Sequence, residues 1–105
     1  SSDIIQEELK EINALQESIY TSVFAFSAMD KSEQLDHVQK LKILLEKQQV
    51  MYTRLSLSDD PQAIEMKENL KKSILMMGFP PDTDVTLLFD SMNKTIEALE
   101  KHIDA

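Results

Sequence analysis

An all-α fold, arranged as four helices in an elongated body, is what this 105-residue sequence predicts. Three observations carry that expectation. Apolar residues recur at steps of three and four along most of the chain, the spacing that keeps one stripe on one helix face. Glycine occurs once and proline three times, and these breakers fall between the periodic segments. No segment alternates apolar and polar residues over a strand's length.

The first stripe runs through Ile5, Leu9, Ile12, Leu15, Ile19, Val23 and Phe26 and predicts a helix over about residues 4–25. Asp3 reads as its N-cap, with Gln6 three residues on completing a capping box. The segment SAMDKSE interrupts it, and Asp30 with Glu33 repeats the capping pattern for a second helix over 31–57. That helix carries Leu35, Val38, Leu41, Leu45, Tyr52 and Leu55, with Gln48 or Gln49 interrupting the stripe. Without internal Gly or Pro it can reach roughly 37 Å, more than the ~34 Å diameter of a compact domain of this size. Elongation follows.

Asp60 followed by Pro61 marks the next start, since the carboxylate satisfies one orphan amide and the proline removes another. The third helix spans 61–77 and presents Ala63, Met66, Leu70, Ile74 and Met77. It ends in MMGFPPDTDV: Gly78 suits a left-handed stop, Phe79 can fold back over the last turn, and Pro80 and Pro81 forbid continuation. A phosphate-binding loop would need repeated glycines after a strand, so this stretch reads as punctuation. Asp84 or Thr83 caps a fourth helix over 85–103, in which Phe89, Met92, Ile96, Leu99 and His102 or Ile103 alternate steps of three and four, a short coiled-coil seam. Short connections favour antiparallel neighbours, so the expected arrangement is a single domain with a long hairpin of the first two helices and the shorter third and fourth packed along it.

A net charge of −8 opposes contact with a phosphate backbone unless the cations gather on one surface. The densest basic group, Lys67, Lys71 and Lys72, alternates with Glu65 and Glu68, which can pair with it along a helix face. A nucleic-acid role is therefore disfavoured. The chain has no cysteine, which suits a reducing cytoplasm. Its longest wholly apolar runs, such as Ile74–Met77, are four residues, too short to span a membrane. The opening SSDIIQEE lacks the basic-then-apolar pattern of a secretory signal.

The segments DIIQEELKEINALQESIY, YTRLSLSDDPQAIEMKENLKKSILMMGF and LLFDSMNKTIEALEKHI resemble a family of small, uncharacterised cyanobacterial proteins that also occurs in cyanophages. The similarity spans most of the chain and is most specific at Arg54 through Ala63 and at FDSMNKTIE. Typical members have a shorter connection after the position of Gly78, so PPDT reads as an insertion. The resemblance implies a small helical cytoplasmic protein without an established activity, and it draws attention to the corner at Arg54, Leu57, Ser58, Asp60 and Ala63.

Residues suited to catalysis are few. His37 follows Glu33 by four, which fits either a metal-ligand pair or a surface ion pair, and the ion pair is favoured because no third ligand motif accompanies them. A metal-dependent enzyme using Glu33, Asp36 and His37 is the alternative. His102 reads as a boundary side chain favoured by the helix C-terminus, and Glu7, Glu8 and Glu11 as hydrated carboxylates near a helix N-terminus. No G-x-S-x-G elbow is present. The leading expectation is a non-enzymatic interaction or regulatory protein without a cofactor or metal. Phe24, Phe26 and Met29, at the tip between the first two helices, can anchor a partner or plug the bundle's end, and plugging is favoured because bundles must close their cores. The six methionines are expected mainly to fill the core. Long helix faces are hard for one short chain to cover, so self-association through those faces or through the helix-four seam, as a dimer or higher, is expected, together with another protein partner.

Overall fold

The structure, a computed structural model, describes residues 2–105. It contains α1 (Ser2–Ser22), a 3-10 segment (Val23–Ala28), α2 (Lys31–Leu57), α3 (Pro61–Met76) and α4 (Val85–Asp104), and no strand among the described residues. The body measures 45 × 31 × 20 Å, elongated as expected.

Helix starts are fixed by side chains at three of the four helices. Asp30 Oδ1 accepts from the Glu33 amide at 2.8 Å, while Glu33 Oε1 accepts from the Asp30 amide at 3.3 Å. Asp60 accepts from the Gln62 amide with Pro61 behind it, and Asp84, not Thr83, accepts from the Thr86 amide, both at 2.9 Å. Asp3 differs from expectation. It lies inside the first turn of α1, which already begins at Ser2, so its carboxylate serves the helix dipole instead of capping with Gln6.

The other correction concerns the end of α1. The α-helix stops at Ser22 and tightens to 3-10 over Val23–Ala28 instead of running on to residue 25. Thr21 Oγ1 donates to the Ser18 carbonyl, and Ser22 Oγ lies within 3.1 Å of the carbonyls of Ser18 and Ile19. Hydroxyls bonded back to the last carbonyls compete with the next α-helical amides.

At the far end of α3 the Phe79 amide reaches Ile74 O and the Gly78 amide reaches Leu75 O, with Gly78 at φ +93°. These two bonds form a Schellman stop. The Phe79 side chain itself stays exposed. No atom of the described residues lies within 4 Å of a Cβ built on Gly78, so a substitution there meets only backbone strain. Gly78→Ala is therefore expected to cost about 1 kcal/mol, lowering the thermal midpoint by roughly 4–8 °C. Gly78→Asn should recover part of that loss, since Asn enters this region more readily.

Helix α2 is the hub. Lys40, Lys47 and Arg54, spaced by seven, reach Ser18, Glu11 and Glu8 of α1. On the other flank, Lys31, Lys42 and Gln49 reach Asp104 O, Glu100 and Asn93 of α4. Both neighbours therefore run antiparallel to α2. Helix α3 folds back from the corner and lays Lys67 over the Tyr52 ring, 5.7 Å from its centroid. The apolar interior divides into two groups. Ile12, Met51, Leu55 and Ala63 join α1, α2 and α3, while Leu45, Ile74, Val85 and Phe89 join α2, α3 and α4. Tyr52 stacks obliquely on Phe89, 6.3 Å between centroids.

Candidate interaction surfaces

The hairpin tip is organised by His37, 5% exposed and the one buried polar or charged side chain among the described residues. Its Nδ1 lies 3.1 Å from Ser22 Oγ, and with the serine proton turned back on the α1 carbonyls the neutral ring pairs by donating its Nδ1–H. The Phe26 ring packs on the imidazole at 5.3 Å, and Gln34 Nε2 donates to Phe26 O at 3.0 Å. The expected ion pair with Glu33 is absent from this arrangement, because Glu33 is committed to the α2 cap and His37 turns inward toward α1. Asp36 stays exposed, so Glu33, Asp36 and His37 do not converge. Among the described residues no three His, Asp or Glu side chains gather as metal ligands would.

Burial, and secondarily the positive charge of Lys40, holds the His37 pKa below its ordinary 6.5. The groups that α1 and the 3-10 segment bring to the ring, Ser22 and Phe26, are uncharged. The unfolded chain therefore binds this proton more tightly than the folded one. Stability from a neutral His37 is complete above about pH 6.5 and falls as the pH drops through that value. Urea midpoints at pH 7.5 and 5.5 should show a loss in the wild type that His37→Gln, which cannot take up the proton, largely abolishes.

Of the tip aromatics, Phe26 is half-buried against His37, whereas Phe24 is 84% exposed and meets Tyr20 edge-on at 6.3 Å. Met29 is half-buried. Tyr20, Val23 and Phe24 thus make one exposed apolar patch.

A second lies at the α2–α3 corner. Arg54, Leu57, Ser58 and Asp60 line an open depression of about 250 Å³ together with Ile4 and Ile5, which α1 supplies. Leu57 is 81% exposed. Arg54 bonds Glu8 at 2.7 Å, and the other Glu8 oxygen is buried without a hydrogen-bond partner among the described residues. Ser58 Oγ accepts from the Asp60 amide, which stiffens the rim.

A third patch gathers at the end of α3. Met76 and Met77 are exposed beside Leu75, so these two methionines are surface residues, unlike the core-filling Met51. Nearby, Lys71 and Lys72 share a depression with Glu68. The expected pairs along α3 do not form, for the ion pairs found among the described residues all join different helices.

The fourth feature is a groove of about 350 Å³ between α2 and α4, lined by side chains that include Leu41, Leu44 and Gln48 from α2 and Met92, Thr95 and Ile96 from α4. Met92, read from the sequence as part of the coiled-coil seam, faces this groove and stays 37% exposed. The α4 side of the groove, Met92 and Ile96, is legible in the sequence as a seam, whereas its α2 side is not, because one apolar stripe per helix does not show which residues of α2 face α4. The seven-residue spacing of Lys40, Lys47 and Arg54 was a further signal, marking the flank of α2 that meets the acidic α1.

An acidic helical module, with paired charges between its helices and apolar patches on its outside, is the class that fold and surface define. The chain belongs to the family of DUF1825, a domain of unknown function, whose profile matches residues 1–103. No curated protein and no solved structure matches it. No helix among the described residues is long and apolar enough to cross a membrane.

Proposed function

We propose that this protein is a non-enzymatic contact module, working in the cytoplasm of a cyanobacterium or of its phage-infected cell by binding proteins, copies of itself included. One observation carries the reading: large apolar side chains stand exposed in groups, Tyr20 with Phe24 at the tip and Leu57 with Ile4 at the corner, on an otherwise strongly charged chain. Grouped exposure of this kind marks contact sites, whereas scattered apolar residues are ordinary. Aromatic side chains at such positions supply large contact area at low entropic cost.

The reading is tested by placing a photo-cross-linking amino acid at position 24, at position 57 and at the exposed polar position Gln39, in the cells that naturally make the protein. Adducts of defined mass at 24 or 57, and not at 39, are expected. An absence of adducts at both apolar positions, or the same adducts at all three, would overturn it.

A further inference from the structure

We infer that the groove between α2 and α4 receives a second copy of this chain, the two α2–α4 pairs closing a four-helix bundle around a two-fold axis. The inference rests on the contact reading above and gives it a partner and a surface.

Area is the first reason. The chain exposes 7394 Å², whereas a compact monomer of its 12.0 kDa mass exposes about 6,000 Å². Its radius of gyration is 15.5 Å, against about 13 Å for a compact domain of this length. The surplus, about 1,400 Å² per chain, exceeds the ~800 Å² that each partner contributes to a standard interface.

Charge selects the face. Two copies of a chain with net charge −8 repel each other, so they can approach closely only where carboxylates are sparse. Every side chain lining the α2–α4 groove is uncharged. The other depressions carry charge: Glu8, Glu11, Glu46 and Lys47 between α1 and α2, Arg54 and Asp60 at the corner, Glu68, Lys71 and Lys72 beside the end of α3. Depletion of charge at the centre of a patch is the compositional mark of an interface core.

Geometry then supplies the mode. Leu41, Leu44 and Gln48 present two successive turns of α2, and Ser91, Met92 and Thr95 do the same on α4, so the floor is two antiparallel helices wide. That is half of a four-helix bundle, and a self-complementary patch completes the other half by two-fold symmetry. Gln48 lies among the leucines of the groove, and its amide can both donate to and accept from its own copy, a device that fixes register.

Sedimentation equilibrium on the full chain, with Thr95→Glu and Val50→Glu variants, tests this. Thr95 is exposed and its hydroxyl bonds only the Ser91 carbonyl, so a glutamate there leaves the fold intact, which far-ultraviolet circular dichroism verifies. Val50 is exposed on the opposite side, in the depression lined by Glu46 and Lys47. At about 100 µM the wild type and Val50→Glu should show about twice the 12.0 kDa chain mass. Thr95→Glu should raise the dissociation constant roughly 100-fold or more, because two like charges face each other across the axis. A monomeric wild type, a Thr95→Glu dimer as tight as wild type, or equal weakening by Val50→Glu would each overturn the inference. A monomeric wild type that still gives cross-links at positions 24 or 57 removes the groove alone and leaves the contact reading standing.

Discussion

Replacing Phe89 by alanine is expected to destabilise the protein by about 3–5 kcal/mol, the range for emptying a buried aromatic site. Phe89 comes from α4, shares a cluster with Leu45 of α2 and Ile74 of α3, and stacks on Tyr52, whose ring also carries the Lys67 ammonium. Its loss therefore leaves a cavity where three helices meet and removes an aromatic contact worth ~1 kcal/mol. A domain of this length holds only about 5–15 kcal/mol in total, so much of the margin goes with one side chain. Urea denaturation followed by circular dichroism should show a strongly lowered midpoint. The intrinsic signal should change as well, since Tyr52 contacts the ring and the chain has no tryptophan.

The second large effect is expected at Leu55, 5% exposed in the other cluster, where truncation to alanine should cost about 2–5 kcal/mol. This site joins α2 to Ile12 of α1 and Ala63 of α3. Because Leu55 and Phe89 belong to separate clusters, their losses should add to within about 0.5 kcal/mol wherever the double variant still folds. A coupling well above that, measured by a double-mutant cycle in urea, would mean that the interior behaves as one unit.

Local chemistry made much of this fold legible in the sequence. Asp30 with Glu33, Asp60 with Pro61, and Gly78 each act within a few residues, and each does what its neighbours dictate. Asp3 misleads because an acidic residue near a helix start serves the dipole as readily as a cap. The early end of α1 depends on which carbonyls the hydroxyls of Thr21 and Ser22 choose, and spacing alone does not encode that choice.

The surfaces are less legible, for a physical reason. Helix α2 carries apolar residues on all sides: Met51 and Leu55 in the interior shared with α1, Leu45 in the interior shared with α4, Leu41 in the groove, Ile43 and Val50 exposed. A single stripe cannot describe a helix contacted from several directions. His37 is the same lesson in one residue, since its partners Ser22 and Phe26 come from the preceding helix and the 3-10 segment, and only the folded hairpin brings them to it. The corner residues Arg54, Leu57, Ser58 and Asp60 do line one depression, but Ile4 and Ile5, which complete it, lie half a chain away.

The seven-residue strip of cations on α2 works like the teeth of a rack. Individually such exposed contacts are worth little, yet together they favour one register of α2 against α1. Moving α2 by one turn, about 5.4 Å, along α1 would set Ile43 or Val50 where Lys47 now meets Glu11, and would strip Glu8 of its arginine. A pull exerted on α1 is then expected to be felt first by α2, the helix that also carries α4.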